Sequence, residues 1–121
     1  MRLTVGLLIA VLLTGIACGP LKSREAAISD AKSTVGAMQV SRSDAKQMTW
    51  KEWQQRSGNH GGAIPAPAGS SKVWVVALQG HFTKFNLNGA SATIVILDPN
   101  TGKLIVGETG DWDWPPFWDS L

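Results

Sequence analysis

The 121-residue sequence predicts an α+β domain in which an N-terminal helix, or two, packs on a three-stranded antiparallel β-meander. Three observations carry this expectation. An apolar stripe with helical spacing runs through residues 23–38. The tetrapeptide Thr49-Trp50-Lys51-Glu52 has the form of a capping box. Three segments rich in β-branched residues then follow, separated by the turn signals Asn88-Gly89 and Asp98-Pro99-Asn100-Thr101-Gly102.

In chain order, the first segment is MRLTVGLLIAVLLTGIACGP. Arg2 gives a minimal positive start, residues 3–16 are an almost unbroken apolar run, and small residues surround Cys18, which is the layout of a secretory leader. The run is short for a membrane helix, which needs about 20 apolar residues. Gly15-Ile16-Ala17-Cys18 resembles the bacterial lipoprotein box, which implies cleavage before Cys18 and a diacylglyceryl thioether on its sulfur. The sequence holds one cysteine, so no internal disulfide or Cys-rich metal centre is available to it. The expected organisation is a signal peptide at 1–17, a tether at 18–22, a helical segment at 23–57, a Pro/Gly-rich loop at 58–71, the meander at 72–108 and a Trp-rich tail at 109–121. The expected location is extracytoplasmic, with the domain held to a bacterial cell membrane by its N-terminal lipid.

Within the helical segment, Ile28, Ala31, Val35 and Met38 form the stripe, with Lys22, Arg24, Glu25, Asp30 and Lys32 free for the wet side. Trp50 and Trp53 fall one turn apart in the second helix, and Ser57-Gly58 is a stop signal. The loop NHGGAIPAPAGSS offers little to bury. "KVWVVALQ" is apolar on both alternating faces, as in a central strand covered on both sides; Gly80 marks a bulge or bend, with residues 81–87 continuing the strand. "SATIVIL" and "KLIVGE" complete the meander.

"VWVVALQG", a spacer and "TIVILDPNTGKLI" resemble the strand pairing of PepSY-type domains: a strand ending in glycine, one ending in aspartate, a D-x-x-T-G turn and a returning strand. The likeness spans mainly residues 73–105 and leaves the loop and tail outside it. It implies a helix packed on these strands and a role beside protein partners, since such domains occur in propeptides of thermolysin-like proteases. It transfers no catalytic residue.

The remaining motifs are weak as chemistry. Ser29-Asp30-Ala31-Lys32 and Ser43-Asp44-Ala45-Lys46 share the S-x-x-K spacing of penicillin-binding enzymes, but the companion elements are missing, and coincidence or helix surface explains them. His60 and His81 are the only imidazoles, too few for a zinc site without carboxylates beside them. Asp98, Asn100 and Thr101 read as turn residues more readily than as calcium ligands. No metal, cofactor or catalytic residue is expected. A net charge of +2, with basic residues dispersed among acids, argues against nucleic acid.

The tail, GETGDWDWPPFWDSL, holds three of the six tryptophans and four acids without a base. It has two competing uses. Its rings fold back as a lid over the sheet, or Trp112, Trp114, Phe117 and Trp118, with Asp111 and Asp113 as acceptors, present a surface to a ligand or partner. The expectation is a non-catalytic protein that binds or modulates a protein or peptide partner, such as an extracellular protease. Cell-wall glycan binding through the tryptophans is the alternative.

Overall fold

The computed structural model describes residues 21–58 and 66–121. The leader, Cys18 and His60 lie outside the described residues. Helix α1 spans Arg24–Val35, strand β1 Ala37–Thr49, helix α2 Trp50–Arg56, and strands β2, β3 and β4 Lys72–Phe82, Ala92–Leu97 and Leu104–Glu108; a 3-10 turn covers Trp118–Ser120. Among the described residues, no helix is long and apolar enough to cross a membrane.

Helix α1 begins where Ser23 accepts the Ala26 amide in its side chain, which relieves one of the orphan donors of the first turn. It ends at Gly36, which is left-handed at φ 61° and returns its amide to Lys32 and Ser33. The expected helix therefore stops at Val35. Met38 belongs to the next strand and is 57% exposed. Gly36 also approaches Thr83 so closely that a Cβ there would collide with its hydroxyl. Gly36→Ala is expected to cost about 1–3 kcal/mol in urea denaturation, from the left-handed backbone and the clash together.

The sheet has four strands, not three, in the order β1-β2-β3-β4, each antiparallel to the next. The extra strand, AMQVSRSDAKQMT, occupies the middle of the segment expected to be helical. It is an edge strand with only Ala45 and Met48 buried, so it lacks the apolar alternation that announces a strand. What holds it extended is pairing with β2, a contact distant in sequence. Ser43 and Lys46 consequently project to opposite faces, which removes any serine–lysine couple there. Helix α2 carries the expected capping box: Thr49 Oγ1 accepts the Glu52 amide at 3.1 Å, and Glu52 Oε1 accepts the Thr49 amide at 3.0 Å. Strand β2 ends at Phe82, short of the expected continuation to residue 87.

Both faces of the sheet are covered. On one, Ala27, Ile28, Ala31 and Val35 of α1 pack on Trp74, Val76, Leu78, Val95 and Leu97. On the other, Trp50 and Trp53 of α2 join Trp118 over Val73, Val75, Ile94 and Ile96, with Trp112, Trp114 and Phe117 packed against them. The alternation of β2 and β3 supplies both cores from one pair of strands, which is why neither strand has a polar face. The 98–102 turn is held by Asp98, whose Oδ1 accepts the Asn100 and Thr101 amides at 2.9 and 3.0 Å. Beside it, the Lys22 amide donates to Pro99 at 2.7 Å, and the Lys22 carbonyl accepts the Trp74 indole at 3.0 Å. The entering chain is thus fastened at the turn end of the sheet, opposite the β2–β3 loop.

Candidate functional site

The β2–β3 loop, residues 83–91, separates two grooves. It is braced to the end of α1 by the Thr83 and Lys84 amides, both of which donate to the Val35 carbonyl at 3.2 Å. Within it Phe85 and Asn86 both have φ of 58°, and the Leu87 amide closes the turn on Lys84 at 3.2 Å. Two successive positive angles define a mirror-image turn that favours glycine and asparagine, so phenylalanine at its first central position stores backbone strain. Phe85 is 61% exposed.

Below Phe85 lies an apolar groove of about 190 Å³ lined by Val35, Phe85, Leu87, Thr93, Leu104 and Gly107. It lies between the end of α1 and β4, and Gly107 keeps it open, with nothing closer to a Cβ position than the Ile94 carbonyl at 3.8 Å. Strand β4 has no strand on its outer side among the described residues.

The second groove is polar. One part, about 490 Å³, is lined by Gln39, Ser41, Gln79, His81, Asn88 and Asp113. An adjoining part of about 320 Å³ reaches Gly110, Asp111 and Trp112. Gln39 sits in the β1 bulge with φ 53°, another non-glycine residue in the left-handed region.

The structure divides the predicted aromatic set. Trp118 is 2% exposed and closes the core. Trp114 meets it edge-on at 5.9 Å, and Phe117 lies between Trp53 and Trp112 at 6.1 and 6.5 Å. Asp111 and Asp113 border the polar groove, and Trp112, packed on Phe117, reaches its edge. The side chains of Asp111, Asp113 and Asp119 form no salt bridge with described residues. The basic residues of β1 meet the tail through its rings: Arg42 stands 3.9 Å above the Trp114 ring, and Lys46 lies 5.1 Å from the Trp118 ring while donating to the Trp118 carbonyl at 2.7 Å.

Asp44 joins the tail to α1 across the edge strand. Its Oδ2 accepts the Trp118 indole at 2.8 Å, and its Oδ1 accepts Arg24 at 2.8 Å and the Ala45 amide at 2.8 Å. Burial pushes the Asp44 carboxyl up, but these hydrogen bonds and the Arg24 charge outweigh it and hold the group below its ordinary value. Because Asp44 occupies the Ala45 amide, it also blunts the outer edge of β1 against further strand pairing.

Gln39, Gln79 and Phe85 escaped the sequence reading. The bulge that turns Gln39 toward the groove and the turn that holds Phe85 outward both arise from pairings the local sequence does not announce, although a phenylalanine between polar residues in "TKFNLNG" is a recognisable oddity. The fold and its grooves define a small α+β domain with a two-sided core and concave surfaces on either side of one loop. No family model matches the chain, and no curated protein or solved structure shows a significant match to it.

Proposed function

We propose that this chain is a non-catalytic, lipid-anchored protein of a bacterial envelope that binds an extended segment of a protein partner in the groove beneath Phe85. The observation that carries the reading is a large ring held in solvent at an unfavourable backbone angle directly beside an apolar concavity. Backbone strain of this kind costs about 1–3 kcal/mol and tends to gather at binding surfaces. An apolar side chain from the partner would fill the space above Gly107, between Phe85 and Leu104. The PepSY-type likeness of residues 73–105 makes an extracellular protease the partner class of first choice; its support is the D-x-x-T-G turn joining two antiparallel strands. Anchoring rests on the leader and Cys18 of the sequence.

A photo-crosslinking side chain at Leu104 of the membrane-tethered protein tests the reading. It is expected to capture a protein, with recovery falling at least about tenfold, or about 1.4 kcal/mol, in a Phe85→Ser background. Equal capture with and without the ring, or capture of lipid alone, overturns it. Mass analysis of the same material is expected to find an N-terminal diacylated Cys18; an intact leader would remove the anchor from the proposal.

A further inference from the structure

We infer that the polar groove on the other side of the loop is a saccharide site that takes a neutral glycan segment, independently of the protein partner proposed above. Its two adjoining parts, about 490 and 320 Å³, share Gly89, Ala90, Ser91 and Asp113. Either part falls in the range of about 300–1,000 Å³ usual for small-molecule sites.

The rim is built. The Gln79 Oε1 accepts the Ser41 hydroxyl at 2.9 Å and its Nε2 donates to the Asp113 carbonyl at 2.7 Å, so one side chain binds β1, β2 and the tail together. The Gly80 amide donates to Ser91 at 3.0 Å and fixes the loop to the same frame. Two glycines shape the interior. A Cβ on Gly80 would press on the Met38 carbonyl and the Val40 Cα at 3.0 Å, and one on Gly110 would strike the Trp112 indole nitrogen, so the ring lies directly over the backbone. The ring's angle is set by an edge contact with Phe117, 6.5 Å away at 87°.

The lining has the chemistry of a polyol site. A sugar hydroxyl both donates and accepts, and the groove offers groups that do both or either: the amides of Gln39 and Asn88, the imidazole of His81, and the carboxylates of Asp111 and Asp113. The carboxylates repel phosphate and other anions. Among the described residues, no three His, Cys, Asp or Glu side chains gather to hold a metal ion. Gln39 singles the site out further. Its side chain makes no hydrogen bond among the described residues, yet its backbone occupies a conformation that glycine would adopt at lower cost.

Titration of the purified protein with chitotriose and with cellotriose, followed by tryptophan fluorescence, tests this. Saturable binding of either sugar is expected, and which one binds tells an N-acetylated glycan from a plain glucan. Gln39→Gly relieves the strained backbone, so the variant is expected to unfold no earlier than the parent while binding the sugar at least about tenfold more weakly. Phe85→Ser is expected to bind the sugar as the parent does. The inference is overturned if neither sugar gives a saturable change up to about 10 mM, if Gln39→Gly binds unchanged, or if Phe85→Ser abolishes binding.

Discussion

Replacing Trp118 by alanine is expected to lower the free energy of unfolding by about 3–5 kcal/mol, read from urea denaturation followed by circular dichroism. The ring is 2% exposed and closes the core formed by Trp50, Trp53, Val73, Val75, Ile94 and Ile96. A tryptophan buries 150–250 Å², and the rings around it, already packed on one another and on β2 and β3, would have to shift to refill the space it leaves. Its loss also removes the donor to Asp44 Oδ2 and breaks the edge contact with Trp114. Since a domain of this size has a total stability of about 5–15 kcal/mol, the variant is expected to lie close to its unfolding transition at physiological temperature. A loss below about 1 kcal/mol, within the range of ordinary surface changes, would show that the sheet does not need its aromatic cover.

The second large effect is expected at Asp44. Asp44→Ala leaves the Trp118 indole N–H without its acceptor and Arg24 with Glu25 alone at 3.5 Å, and is expected to cost about 1–3 kcal/mol, the lower part of that range reflecting a half-exposed site. Asp44→Asn keeps an acceptor for the indole and is expected to lose less. The pH dependence separates charge from shape. Because the folded carboxyl is held below its ordinary value, its contribution is complete above the unfolded-state pKa of about 3.9 and is lost as pH falls through the lower folded-state value. Glu52 and Asp98 are held low as well, chiefly by the Thr49 and Thr101 amides, so the whole protein is expected to weaken in acid. The difference in stability between parent and Asp44→Asn isolates the one group: it should be constant at neutral pH and shrink below about pH 4. A difference independent of pH would show that the charge adds nothing.

Much of the architecture was legible in short-range signals. Ser23 and Gly36 bracket α1, Thr49 and Glu52 open α2, and the 98–102 turn joins two strands because each of these devices acts within a few residues. Strand β1 was not legible. Gln39, Ser41, Arg42, Asp44 and Lys46 carry no strand preference of their own, and their conformation is imposed by β2 some thirty residues away. The tail was legible as something that must be buried or used, and the structure splits it: Trp118 joins the core, whereas Asp111, Trp112 and Asp113 line a groove. The other half of that groove depends on a bulge and on loop packing, which composition does not encode.

Lys22 is clasped beside Pro99, at the pole of the domain farthest from residues 83–91. Three residues separate it from Cys18, and the four residue steps between the two span at most about 14 Å even when fully stretched. If acyl chains hold Cys18 in a bilayer, the domain stands almost directly on the lipid headgroups. Phe85 and Gln39 would then point outward like the working end of a post, toward the wall polymers and secreted proteins that pass above it.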